Sequence, residues 1–353
     1  MNQHQRRNNP SSSLPPIHQA IAYGSNAPNP HNTQAWRLHV LSDLEALLYI
    51  DETRALPATD PPTRQIHIGA GCFIETLAIG ATTLGYSTDV DYFPEGIYPV
   101  AQVGKKPVAR ITLTPSSAKP DKLSSFIYQR QTNRRPSFKN GPLPASQIDT
   151  LHHYTTDTVT LLSITDSAKM QPLLSLFDQA MVIECENYHL FDETRIWFRY
   201  NEQERSKKRD GLSIPQTGIT GFRVPLIEWY LKHGDPKRWH SKQSINAYLK
   251  VFREGLKSAQ GIMLLKTDTN TPLDWVKTGR SYVRISLAAT KLGLQLHPYS
   301  QVLQEYPEMI ETQQKFNTLL GVSGQQKIQM AVRIGKGPLP YYTYRREEST
   351  LQQ

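Results

Sequence analysis

The chain has 353 residues, 38% hydrophobic and 20% charged, with 40 Lys and Arg against 31 Asp and Glu for a net charge of +9. No apolar run approaches the ~20 residues that cross a bilayer, which argues against a helical membrane protein, and the two cysteines, Cys72 and Cys185, form neither a metal motif nor a disulfide pattern. The basic residues are scattered through "RQTNRR", "ERSKKRD" and "YRREE" with no basic-aromatic stripe, so they point to small anionic ligands, phosphates above all, and away from nucleic acid.

The start, "MNQHQRRNNPSSSLPP", has no apolar segment behind its arginines and is expected to be a disordered leader over 1–13 rather than a signal peptide. With two inert thiols in apolar helical contexts, a reducing cytoplasm is the expected location. A first helix is expected over "PPIHQAIAYG", with Gly24 as its stop. "APNPHNTQAW" (27–36) then leads into two strands, "WRLHVL" and "ALLYID". Its amides Asn29, Asn32 and Gln34, grouped around His31, can either match a mixed hydrogen-bonding ligand edge or satisfy their own loop. A long small-residue-rich helix, "TRQIHIGAGCFIETLAIGATTLGY", ends at Gly85, strands follow at "STDVDYF" and "PVARITLT", and Pro115 to Lys122 has the composition of a linker.

A second series then begins. "LSSFIYQR" reads as a helix, "VTLLSITD" as a strand, "SAKMQPLLSLFDQAMVIECENYHLF" as one long helix, "GIMLLKTD" as a strand, "LDWVKTGRSYVRISLAATKLGL" as a helix and "KIQMAVRIG" as a strand, before a tail to Arg346. The two series repeat: Gly71 to Gly85 and Gly279 to Gly293 have the same spacing, and in that register Ala81, Thr82 and Leu84 fall on Ala289, Thr290 and Leu292. A duplicated α+β unit is therefore expected, with halves over 14–115 and 122–346. The second half carries an insertion at 187–241, rich in aromatics, charge and glycine, of the kind that forms a lid or binding loop.

Three further segments could bind a ligand. In "RQTNRR", Arg130, Thr132 and Arg134 alternate, so an extended backbone would aim two guanidinium forks and a hydroxyl at one anion. Arg345 and Arg346 close the tail and could add a second source of guanidinium. In "LGLQLHPYSQ", a strand ends at Pro298, and the backbone N–H groups of Tyr299, Ser300 and Gln301 would be free for a ligand atom. Each segment also has an ordinary reading as a basic turn, a basic terminus or a connection. Dinucleotide-fingerprint, P-loop, zincin, nucleophile-elbow and paired-cysteine motifs are all missing.

Taken in order, these segments resemble the nitroreductase superfamily, and most of all its Acg-type branch of long single chains. "APNPHNTQAW" is similar to that branch's "APSPHNTQPW", with Asn29 in place of its serine and Ala35 in place of its second proline. "RQTNRRPSF", "RISLAATKLGLQLHPYSQ", "MAVRIGKGPLPYYTYRR" and "IWFRYNEQERSKKRDGL" resemble its phosphate motif, its helix-strand-proline segment, its closing strand with arginines and its insertion. The resemblance covers about residues 14–346. It implies a nitroreductase-like α+β fold, duplicated in tandem into a single-chain pseudo-dimer and functioning as a monomer. It also implies one complete FMN site, because the first half has nothing like the Arg-x-Thr-x-Arg motif. Arg130, Thr132, Arg134, Pro298, Tyr299, Ser300, Gln301, Arg345 and Arg346 would come from the second half, and Asn29, His31, Asn32 and Gln34 from the first. The implied activity is NAD(P)H-dependent reduction of electron-poor acceptors such as nitroaromatics or quinones, with no protein catalytic residue and no metal. The alternative is a lidded protein that binds or sequesters FMN with little turnover.

Overall fold

Two four-stranded antiparallel sheets follow the same strand order along the chain. The computed structural model describes residues 6–136, 138, 141–156, 158–233 and 235–352. In the first half, α1 (Pro16–Gly24), β1 (Trp36–Ser42), β2 (Glu45–Ile50), α2 (Arg64–Thr82), β3 (Tyr86–Tyr92) and β4 (Ala109–Pro115) build a sheet of order β1-β2-β4-β3. In the second, α3 (Ala145–His152) and β5 (Thr160–Ile164) precede a helical block: α4 (Ser167–Glu186), α5 (Tyr188–Ile196), α6 (Glu202–Lys208), α7 (Arg223–Lys232) and α8 (Lys242–Lys257). Then β6 (Gly261–Thr267), α9 (Pro272–Lys291), β7 (Gln295–Pro298), α10 (Ile310–Leu319) and β8 (Lys327–Gly335) complete a sheet of order β5-β6-β8-β7. Each sheet thus places its long helix, α2 or α9, between its second and third strands.

The strand sequences explain which faces are covered. β3 alternates between half-buried and exposed residues, as a sheet edge with one wet face should. β6 and β8 are buried on both faces, matching the near-continuous apolar runs "IMLL" and "AVRI". Alternate residues of β6 serve two cores: Met263 and Leu265 pack with Val283 and Leu287 of α9, while Ile262 and Leu264 pack with Phe177 of α4 and Phe252 of α8.

The halves meet where α2 crosses α9. A Cβ on Gly71 would lie 1.9 Å from the Val276 carbonyl oxygen, and one on Gly279 would lie 2.0 Å from the Ile68 carbonyl oxygen. The two glycines that share a register in sequence therefore face each other's helix, and only hydrogen fits at either place. Beside them Glu75 of α2, itself buried, accepts from Arg280 Nε at 2.6 Å and from Arg284 Nη1 at 2.8 Å. Both helices stop at a left-handed glycine, Gly85 (φ 81°) and Gly293 (φ 71°).

Three expectations are corrected. "LSSFIYQR" is not an α-helix but a single 3₁₀ turn, Ser124–Phe126, because the chain leaves at once to run beside β7, where Asn133 N–H donates to the Leu296 carbonyl at 2.9 Å. The long helix after β5 breaks at Asn187, whose side chain accepts from the N–H groups of His189 and Leu190 at 3.0 and 3.3 Å and so starts a new helix. Of the segment expected as a leader, residues 1–5 lie outside the described residues, while Arg7 and Asn8 are buried against the fold.

Gly71→Ala and Gly279→Ala should each destabilise the protein by roughly 1–3 kcal/mol, since the obstructing atom is a backbone carbonyl that cannot swing away. Urea unfolding followed by circular dichroism checks this, and the paired substitution should not be additive because both act on one crossing.

Candidate functional site

A cavity of about 390 Å³ opens in the second half between α4, α8, the start of the turn after β7 and the 187–241 insertion. Its walls are mostly apolar: Met181, Phe191, Phe198, Leu212, Tyr230, Trp239, Tyr248 and Phe252. Polar atoms reach it from Arg134, Thr194, Gln216, His297, Gln301 and Arg333. Enclosure of apolar walls around a few polar groups is the usual form of a small-molecule site.

Four of the expected residues, Arg134, Pro298, Tyr299 and Gln301, line this cavity. Tyr299 is held by aromatic packing on Phe177 and Phe252, and its N–H, expected to be free, donates to the Ala331 carbonyl at 2.7 Å. Ser300 lies outside the lining, its carbonyl accepting from Leu303 N–H at 3.0 Å. Thr132 is not part of this lining and forms the backbone bridge to Leu296.

The opening loop lies behind the cavity wall, and its amides have protein partners. Asn29 Oδ1 accepts from Gln34 N–H at 2.9 Å. Asn32 Nδ2 donates to the carbonyls of Gly211 and Tyr344, both at 3.3 Å, and Asn32 Oδ1 accepts from Arg345. Gln34 Nε2 donates to the Arg209 carbonyl at 2.8 Å, while Gln34 Oε1 accepts from Arg346 N–H at 2.7 Å. His31 Nε2 lies 3.1 Å from Thr194 Oγ1 on the cavity wall. The loop thus joins the first half to the insertion and to the C-terminal tail.

The insertion is tied down from the same side. Asp210 accepts from Arg199 Nε at 2.7 Å and also pairs with Arg54. The Glu193 carboxylate accepts from the N–H groups of Ala58 and Thr59 at 2.9 and 3.0 Å. Arg209 Nε donates to the Arg345 carbonyl at 2.6 Å.

The electrostatics next to this wall are uncompensated. Arg7, Arg130 and Arg345 are each about 4% exposed or less, and none forms an ion pair among the described residues. Burial lowers all three below the ordinary guanidinium value; Arg130 then lowers Arg7 further, to about 9, and Arg7 and Arg130 together press on Arg345. Arg7 Nε and Nη1 and Arg345 Nε are buried with no hydrogen-bond partner. Buried donors are satisfied almost everywhere in proteins, so three orphans on one cluster of cations call for an anion. The opening loop links the cluster to the cavity: Arg345 donates to Asn32, and the neighbouring His31 meets Thr194 on the cavity wall. Arg346, by contrast, is occupied with Gln34, Thr350 and Asp51.

Two residues escaped the sequence reading. Arg333 of β8 is fully buried, donates to the carbonyls of Gly255 and Arg135 at 2.7 Å each, and stacks over Phe138 at 3.8 Å. Glu184 of α4 is buried beside the site, where burial raises its carboxyl to about 7 although Gln304 Nε2 donates to it at 2.8 Å. A lone charge within an apolar run, "AVRI" or "VIEC", was the available signal for each.

With this geometry in place, the molecule can be described as an α+β protein with an enclosed apolar cavity and an adjoining buried cationic cluster. No protein-family model matches the chain. An uncharacterised Mycobacterium tuberculosis protein is 30% identical over 122 residues, spanning 33% of this chain and 34% of that protein. Two M. tuberculosis proteins bear the name "Putative NAD(P)H nitroreductase". One, acg, is 28% identical over 178 residues, 46% of this chain and 51% of its own length. The other is 24% identical over 320 residues, 89% and 83%. Among solved structures, an FMN-dependent nitroreductase from Mycobacterium smegmatis in complex with NADPH aligns at 13% identity and a TM-score of 0.35 over 61% of this chain and 88% of that one. An oxidised iodotyrosine deiodinase bound to FMN aligns at 14% and 0.38, over 64% and 95%. By sequence, this chain is similar to these proteins named as nitroreductases.

His31 is held down to about 3 by burial and then by Arg134, while an exposed histidine titrates near 6.5. The unfolded chain therefore takes up a proton that the folded chain refuses. Stability from this residue is complete above about 6.5 and is lost as pH falls from there toward 3. Chemical denaturation of wild type and His31→Gln at pH 7, 6 and 5 should show the wild type losing up to about 1.4 kcal/mol per pH unit relative to the variant.

Proposed function

We propose that this chain is an FMN-dependent oxidoreductase of nitroreductase type, taking electrons from NAD(P)H and delivering them to electron-poor aromatic acceptors. The observation that carries this reading is the pair Arg130 and Arg345, two buried guanidiniums from distant segments with no ion-pair partner among the described residues, joined through the opening loop to the wall of a 390 Å³ cavity. A phosphate would compensate the guanidiniums, and a flat ring system suits the aromatic walls. The name shared by the M. tuberculosis relatives suggests the donor.

Bound FMN would supply the hydride chemistry. The chain's own residues bind and orient: Arg130 and Arg345 take the phosphate, Arg134 and Arg333 place positive charge at the cavity wall, and Tyr299 and Phe252 shape the ring slot. The insertion supplies one wall of the cavity.

The arrangement also supports reading the chain as a tandem duplication, a pseudo-dimer in one polypeptide that works as a monomer. The supports are the matched sheet orders and the reciprocal glycine contacts. Two buried free cysteines suit a cytoplasmic setting, and no described helix is long and apolar enough to cross a membrane. A second reading, an FMN-binding protein with little turnover, is favoured by the Arg54–Asp210–Arg199 network that pins the insertion across the cavity.

The purified protein should show a flavin spectrum after reconstitution with FMN, and anaerobic NADPH or NADH should bleach it. Retained FMN that bleaches with dithionite but with neither nucleotide would replace the oxidoreductase reading by the binding one. Arg130→Ala should weaken FMN binding by about tenfold or more, as expected for loss of a charge-assisted contact, measured by quenching of flavin fluorescence.

A further inference from the structure

Arg7 has no part in the phosphate contacts proposed so far, yet it is buried as deeply as Arg130 and Arg345. It belongs to an N-terminal arm rather than to either sheet. The arm is fastened on either side of Arg7: Arg6 pairs with Glu202 at 3.0 Å and donates to the Tyr342 carbonyl at 3.0 Å, the Arg6 carbonyl accepts from Arg345 N–H at 3.0 Å, the Asn8 carbonyl accepts from Asn26 Nδ2 at 2.9 Å, and Asn8 Nδ2 donates to Ser25 Oγ at 2.7 Å and to the Arg346 carbonyl. These bonds carry a cation into a place that already holds two. Only Nη2 of Arg7 is used, donating to the Arg130 carbonyl at 2.7 Å; Nε and Nη1 are buried without partners. An unpaired buried charge costs more than a neutral hydrogen bond returns. The unpaired nitrogens of Arg7 and Arg345 lie where three segments meet, the arm, the Arg-x-Thr-x-Arg stretch and the C-terminal tail, and nothing negative among the described residues balances them.

We infer that Arg7 is a third guanidinium of a phosphate-monoester site and that the arm, residues 6–8, is a latch held shut by the bound phosphate. The inference rests on the flavin reading and deepens it. With the anion in place, the three cations become attractive and the arm docks over the phosphate. Without it, their mutual repulsion favours release of the arm, the one of the three segments not built into or beside a sheet.

The probes are FMN and riboflavin, which share the ring and differ in the phosphate. Both are titrated by fluorescence into full-length wild type, Arg7→Ala and Arg7→Lys, and trypsin cleavage within the arm is followed with each flavin. Arg7→Ala should bind FMN about tenfold to a hundredfold more weakly, with riboflavin affinity unchanged, and Arg7→Lys should recover part of the loss. FMN, and not riboflavin, should slow cleavage of the wild-type arm. Without ligand, Arg7→Ala should unfold at the same temperature as wild type or higher, because an uncompensated charge is gone. FMN affinity equal in wild type and Arg7→Ala would overturn the role of the arm and leave the flavin reading standing. Equal losses for both flavins would overturn it too, as would a lower ligand-free unfolding temperature with no FMN-specific loss, since Arg7 is then a plug. If wild type binds neither flavin, the flavin reading falls and the latch falls with it.

Discussion

Everything in this molecule is arranged around one close approach, the crossing of α2 and α9 at Gly71 and Gly279. Backbone meets backbone there, each helix presenting its glycine to the other's carbonyl. Such contact fixes the distance between the halves to within the size of a methyl group. It also explains why charge is tolerated nearby: Glu75 and its two arginines sit in a rigid frame in which the pairing geometry is held. The opening loop of one half and the cationic cluster of the other can cooperate only because this frame sets their separation.

The second organising feature is an imbalance of charge. Acidic partners are plentiful in the insertion, where Asp210, Glu193 and Glu228 each hold a basic or backbone group. They stop short of Arg7, Arg130 and Arg345. A fold with 31 acidic residues had carboxylates to spare, so a pocket of cations left without them is a positional choice.

The sheets were readable in the sequence because period-2 alternation and apolar runs report directly on which faces are buried, as in β3 against β6. The crossing was readable because the packing of α2 on α9 demands small residues at fixed positions, and Gly71 and Gly279 advertise that demand. Helices α6 and α7 were less legible: "RSKKRD" and "RVPLIEWYLK" have little apolar periodicity, and their order depends on ion pairs such as Arg205 with Glu228 that no local pattern reveals. The site was legible by residue type and less so by partner. Arg130, Arg134 and Arg345 stand where an anion would be met, but that Asn32 and Gln34 bond to the tail depends on contacts between residues 312 positions apart. Arg7 was hidden by its surroundings, a polar segment whose composition says disorder while its contacts say otherwise.

The opening loop has one more property. His31, Asn32 and Gln34 all lie in the left-handed region, at φ 48°, 56° and 53°, and none is glycine. Such conformations cost on the order of 1–3 kcal/mol each and persist only where neighbours over-determine them. The neighbours are the tail residues Tyr344 to Arg346 and the insertion residues Thr194, Arg209 and Gly211. The loop is therefore a wound spring, and the tail and insertion are its catch. Freed of either, it would uncoil toward ordinary backbone angles and carry its amides away from the cavity wall. Loop, tail and insertion are thereby bound into one hydrogen-bonded wall rather than three adjoining pieces.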